Sequence, residues 1–440
     1  MTPVSKTDRR WPVVVLLLAL AGCQPTVYLM PTPVVMQGGR VDPFAANPRV
    51  RGTNEIRVAY ATNRVRLGPR DHALYTAVFD DALRFGDAYL VIGEGELPWE
   101  WIHRKSTAAE RDENPPLRLR EAHEEALVHA DEPLHAPNPA LQRYFQQLNA
   151  VIRASEHKDL TVYVHGANNN FYRATAQAGQ FRHFSGYNAV VMAFSWPSMA
   201  NLFRYATDVA NARATVPVFA GLIELLARYS GAQHINILAY SAGAQVVSPA
   251  LALLRARHPD RSPEALRRTL RLGEVYFAAP DVDQKAFLQD LFAYQGMTCS
   301  VTLALNLNDS VLSLAAAHHG RPRAGRPDPD ELTAEETERI TRASREGGFR
   351  LLDIGGSEIP DLSRGAHDFW YSHPWVSNDV LIQFLYHAAP AERGLEAYRD
   401  AEGAVAWYFP PDYLQRALAA LDRLEAGAYD PGTCSHEASP

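Results

Sequence analysis

Ser241 lies in the stretch Ile235–Gln245, INILAYSAGAQ, where an apolar run stops at small residues and a helical-looking segment, Val246–Arg257, follows. A strand that turns sharply into a helix lifts a serine hydroxyl clear of its sheet. The positive end of the helix dipole then sits behind the serine, where negative charge would develop during acyl transfer. Small neighbours are required because strand and helix nearly touch at such a turn. The local pattern is Ala-x-Ser-x-Gly, with Ala239 at the place where glycine is usual. Alone, a Ser-Ala-Gly before a helix is also readable as an N-cap.

A serine is a poor nucleophile until a base takes its proton, and that base needs an acid to fix its tautomer. Asp309 and then His367 follow Ser241, in the order serine, acid, histidine. His373 is the competing base; Gly365 and Ala366 free the backbone beside His367, which is therefore the expected one. Asp281, after Ala279-Pro280, is the alternative acid, and its bland reading is a cap for a helix starting near Gln284, a role open to Asp283 as well. An oxyanion needs two backbone N–H donors. Ala242, next to the serine, and Ala167, after His165-Gly166, are expected to supply them. His165 and Asn168-Asn169-Asn170 then read as residues that hold that loop together. The adjacent pair His318-His319 does not put two ligands on one helical face. Neither a metal nor a cofactor is expected.

Elements must carry these groups to one place. Predicted strands Glu55–Thr62, Ala88–Ile92, Thr161–Val164, Ala189–Phe194, Ile235–Ala239, Glu274–Ala278, Val301–Leu305 and Phe349–Ile354 are interleaved with helices. Among those are Ala140–Ala154, Ala212–Tyr229, Val246–Arg257 and one capped near Ser377 or Asn378. The alternation predicts an α/β fold, a mostly parallel central sheet with helices on both faces. Such sheets keep their chemistry at the carboxyl ends of the strands. His165, Ser195, Ser241, Asp281, Asp309 and His367 all fall there. Trp99–His135 reads as a charged surface excursion, helical in part around Leu117–Leu127, and Gly320–Gly348 as a second one with a helix over Leu332–Ser344. The tail holds one further predicted helix, Pro411–Glu425.

The amino end reads as a targeting segment. Lys6, Arg9 and Arg10 precede the apolar run Trp11–Leu20, too short to span a bilayer, and Leu20-Ala21-Gly22-Cys23 resembles the lipobox of bacterial lipoproteins. That resemblance implies a signal peptide over 1–22, a lipidated Cys23 and membrane attachment through it; Gln24, not aspartate, implies the outer membrane, facing the periplasm. Residues 23–50, rich in proline and small residues, read as a tether. A catalytic domain over 51–390, with insertions near 99–135 and 320–348, and a helical extension over 391–440 complete the expected organisation. A net charge of −7 without a basic cluster argues against nucleic acid. Cys299 and Cys434 either pair or stay free, and nothing here fixes the oligomeric state.

Several stretches together resemble one family. VYVHGANNNF (Val162–Phe171), FSWPS (Phe194–Ser198), the Ser241 turn, AAPDVD (Ala278–Asp283), LNDSVL (Leu307–Leu312) and GAHDFW (Gly365–Trp370) look like the bacterial α/β-hydrolase family called domain of unknown function nine hundred. VAYATNR (Val58–Arg64) resembles its opening strand, so the likeness runs from about Glu55 to Ala389. The three residues are expected to act on a small-molecule or lipid ester; the resemblance implies the α/β-hydrolase fold and a serine hydrolase using Ser241, Asp309 and His367. It supplies no substrate. The chain departs from the pattern at Tyr240, where histidine is common, and at Ala167, where an aromatic is usual. Tyr172, Tyr205 and Asp208 are expected to shape the site. A non-catalytic envelope-binding lipoprotein, or an acyltransferase with the same three residues, are the other readings.

Overall fold

The computed structural model describes residues 26–199, 201, 204–400 and 403–428. Twelve strands form one sheet: β1 Val27–Tyr28, β2 Glu55–Leu67, β3 Leu74–Ile92, β4 Pro116–Val128, β5 Leu160–Val164, β6 Val190–Ser195, β7 Ile235–Tyr240, β8 Leu272–Ala278, β9 Ser300–Leu305, β10 Phe349–Asp353, β11 Glu396–Arg399 and β12 Val405–Tyr408. Their order across the sheet is β1-β4-β3-β2-β6-β5-β7-β8-β9-β10-β12-β11. The stretch from β2 to β12 is parallel, with antiparallel strands added at both edges. The expected α/β architecture is what the chain adopts.

The central strands are apolar runs because helices cover both faces. Every residue of β5 (LTVYV) and β7 (INILAY) is buried. Alternation sends Leu160, Val162 and Val164 to one face, against Phe219, Leu222 and Leu251, while Tyr163 joins Phe181, Trp370 and Val380 on the other. The helix Tyr205–Tyr229 is long and apolar enough to cross a membrane, but it buries Phe219, Leu222, Ile223 and Leu226 in this core.

Four expectations change. Leu117–Leu127 is no helix but most of β4, antiparallel to β3. Its burial alternates, with Ala122, Glu124, Ala126 and Val128 inside and Glu121, His123 and Glu125 half-buried between them, which is the period of a half-covered strand. Ala88–Ile92 is only the end of the 19-residue β3. The described part of the supposed tether is packed: Leu29, Met30, Val34, Val35, Met36 and Phe44 are buried, and β1 pairs with β4. Residue 390 is not a boundary either, since β12 lies parallel to β10 and extends the sheet before the helix Tyr413–Arg423. Residues 1–22, Cys23 and Cys434 lie outside the described residues. Cys299 is disulfide-bonded.

At the amino ends of the strands, opposite the site, His387 lies between two carboxylates. Its Nε2 is 2.5 Å from Asp159 and its Nδ1 3.5 Å from Glu274. Burial alone would lower its pKa, but those two partners raise it to about 9. The folded state therefore holds a proton that the unfolded chain, with an ordinary histidine near pH ~6.5, releases. The resulting stability is complete below that value and is lost as pH rises through about 9. Thermal melts should show this loss, on the order of 3 kcal/mol, and His387→Gln should blunt it. An equally steep loss in the variant would show that other groups cause it.

Candidate functional site

β7 delivers Ser241. The serine has φ 51°, in the left-handed region that a side chain enters at a cost on the order of 1–3 kcal/mol. Such a backbone reverses the chain within three residues, and the helix Ala244–Arg257 starts at once. Two glycines permit the approach. A Cβ on Gly166 would lie 2.8 Å from the Ser241 Cβ, and one on Gly243 would lie 2.6 Å from the Val164 carbonyl oxygen. The His165-Gly166-Ala167 loop is thus pressed against the serine.

β9 delivers Asp309, which is fully buried. Its Oδ1 caps the helix Ser310–His319 by accepting from the Leu312 N–H at 2.9 Å, and its Oδ2 lies 2.7 Å from His367 Nδ1. The loop after β10 brings His367, whose Nε2 lies 2.8 Å from Ser241 Oγ. An ionised carboxylate only accepts, so the ring proton sits on Nδ1 and the Nε2 lone pair faces the serine hydroxyl. Three residues separated by 126 positions therefore share one hydrogen-bonded chain. Asn306 fixes the loop by donating to the carbonyls of Arg364 at 3.2 Å and Ala366 at 2.8 Å.

The two alternatives are occupied elsewhere. His373 caps the helix Pro374–Tyr386, its Nδ1 accepting from the Trp375 N–H at 3.2 Å, and its Nε2 meets the Pro360 carbonyl at 2.7 Å. That helix begins at Pro374, so Ser377 and Asn378 are inside it and do not cap it. Asp281 lies beside the serine but spends its carboxylate on Arg323 Nε, 2.6 Å away, and on the Tyr205 hydroxyl. Its backbone N–H donates to the Ser241 carbonyl at 3.1 Å, and its own carbonyl accepts from Gln245 at 2.7 Å. The cap of the helix Gln284–Tyr294 is Asp283. Asp281 braces the turn from below.

The loop after β5 is held from several sides. Burial and the Arg64 charge push His165 down to about 3, so it is neutral, and it stacks on Trp196 with ring planes 7° apart. Asn169 donates to the Ala167 carbonyl at 3.0 Å, and Asn170 caps the helix Phe171–Phe184. Asp208 accepts from the Asn168 N–H at 3.1 Å and from Ser198 Oγ at 2.7 Å. The fully buried Arg64 reaches Ser195 Oγ at 3.0 Å and the Asn169 carbonyl at 2.9 Å. Burial lowers its pKa to about 9, against the opposing pull of Asp208. Among the described residues the Ala167 N–H has no acceptor. Tyr205 and Asp208 border the site as expected. Tyr172 does not: its hydroxyl ties the Leu117 carbonyl to the Val27 N–H at the sheet edge.

Arg64, Gln245, Asn306 and Arg323 were not singled out by sequence reasoning. Arg64 carried a signal, since it follows the apolar strand VAYATN directly and is flanked by valine. A cleft of about 530 Å³ opens beside His367, lined by Tyr240, Val311, Leu362, Asp368 and Tyr371. Burial holds the Tyr240 and Tyr371 hydroxyls protonated. Away from the cleft, Asp159, His234 and His387 bring potential ligand atoms within 4.8 Å of one another.

A family model described as "Alpha/beta hydrolase of unknown function (DUF900)" matches residues 142–380, more than half of the chain and a narrower span than the motifs suggested. No curated protein matches.

Proposed function

This chain belongs to the α/β-hydrolase family of unknown function, and we propose that it is a serine hydrolase cleaving an ester through an acyl-enzyme on Ser241. The observation that carries the reading is the hydrogen-bonded chain from Ser241 through His367 to Asp309. His367 Nε2 takes the hydroxyl proton as Ser241 Oγ attacks the ester carbonyl, and Asp309 stabilises the imidazolium that forms. The N–H groups of Ala167 and Ala242 receive the negative charge on the carbonyl oxygen. The imidazolium then protonates the leaving alkoxide, and the C–O bond to the alcohol breaks. A water deprotonated by His367 attacks the acyl-enzyme, which releases the acid and restores Ser241.

The same reading puts the enzyme at the bacterial envelope, attached through a lipidated Cys23 at the outer membrane and facing the periplasm. Each buried methylene of an acyl anchor adds about 0.8 kcal/mol, so more than one chain holds the protein firmly. Fluorophosphonate labelling tests the chemistry. Wild type should be labelled at Ser241 and Ser241→Ala should not. A folded wild type that stays unlabelled, or an alanine variant that labels as well, would sink the proposal.

A further inference from the structure

Eight large apolar side chains are exposed among the described residues, and six of them lie at the carboxyl ends of the strands, where the cleft opens. Leu307, Val311 and Leu314 form one group, with Leu314 73% exposed. Val311 and Leu314 stand on the helix that Asp309 caps, and Val311 also lines the cleft. Leu67, Leu74 and Val78 form the other, on the hairpin where β2 and β3 run on past the Thr62–Ser195 pairing; Leu67 and Leu74 face each other across it. β2 is three strand positions to one side of β7 and β9 is two to the other side. Five spacings of about 4.8 Å put the two groups roughly 24 Å apart. The serine lies between them.

We propose that this end of the molecule docks on a phospholipid bilayer, both apolar groups entering the interface so that the cleft faces the membrane. The cleft mouth carries Asp361 and Asp368, and beside the leucine group stand two arginines. Arg326 Nε donates to the Leu307 carbonyl at 3.0 Å and Arg364 Nε to Asn308 Oδ1 at 3.2 Å. Neither guanidinium has a carboxylate partner among the described residues, on a chain of net charge −7. Two uncompensated cations beside exposed leucines suit phosphate headgroups above acyl chains. Resting on the hydrolase reading, the substrate class becomes an ester presented by that bilayer.

Amide hydrogen exchange on the full chain, with and without vesicles of phosphatidylcholine and phosphatidylglycerol, tests the docking. Exchange over 66–78 and 307–317 should slow with vesicles, while the strand around the exposed Tyr398, at the sheet's far edge, should not change. Leu314→Asp and Leu74→Asp should lose that protection with unchanged melting. Both variants should hydrolyse a dissolved short-chain ester within about twofold of wild type, yet fall roughly tenfold or more on an ester carried in vesicles. Equal exchange with and without vesicles overturns the proposal. So does vesicle-independent protection that grows with protein concentration, which would mark a contact between copies of the chain. Protection without turnover of either ester would leave docking intact and defeat the hydrolase reading instead.

Discussion

Ser241→Ala should lower kcat for ester hydrolysis by up to ~10⁶-fold while the protein stays folded. The loss is large because His367 and Asp309 have no proton to take once the hydroxyl is gone, and the remaining residues act only through it. What survives, about 10³–10⁴-fold over water, would come from oxyanion donors and binding alone. The fold should tolerate the change because alanine keeps the Cβ that abuts Gly166, and the left-handed backbone at 241 is imposed by the turn, not by the hydroxyl. kcat and a thermal melt on the same samples check both halves. An alanine variant that hydrolyses the ester within tenfold of wild type would move the nucleophile elsewhere, whatever its melting temperature.

The central strands and the order of the three residues were legible because their causes are local. β5 and β7 are unbroken apolar runs, and Ser241, Asp309 and His367 each follow a strand that can be recognised from its own composition. β4 was misread for the opposite reason. Its charged, alternating sequence is stable only as a partner of β3, whose own length was hidden by polar residues such as Asp80 and Asp81. β12 likewise pairs with β10 from more than 50 positions away, a long-range choice that no short window contains. The stretch before β2 looked like a tether because proline and small residues dominate it. Its few apolar side chains find a core without any period to announce them. Asn306 stayed hidden because it acts through the backbone carbonyls of a distant loop, and carbonyls leave no trace in a sequence.

Asp309→Asn and Asp281→Asn should separate the two carboxylates by opposite failures. Asparagine at 309 keeps the shape and caps a helix as well as aspartate does, so melting should change little. Its amide can no longer hold the Nδ1–H tautomer or stabilise an imidazolium, and kcat should fall by about 10⁴-fold. Asparagine at 281 leaves the His367 pair alone but takes the counter-charge from Arg323, whose side chain is only 6% exposed. Breaking a buried pair from one side costs about 3–5 kcal/mol, so this variant should melt early. Its kcat at a temperature where it is folded should fall far less than that of the 309 variant. Tyr205 and Gln245 still brace the turn there, the one through the residue's side chain and the other through its carbonyl. Should Asp281→Asn lose kcat as heavily as Asp309→Asn without loss of stability, the acid would be Asp281 and the 2.7 Å contact from Asp309 to His367 would serve only to cap and pack. The geometry argues the other way: one carboxylate faces the histidine, the other faces an arginine, and only the first can change the charge on the base that faces Ser241.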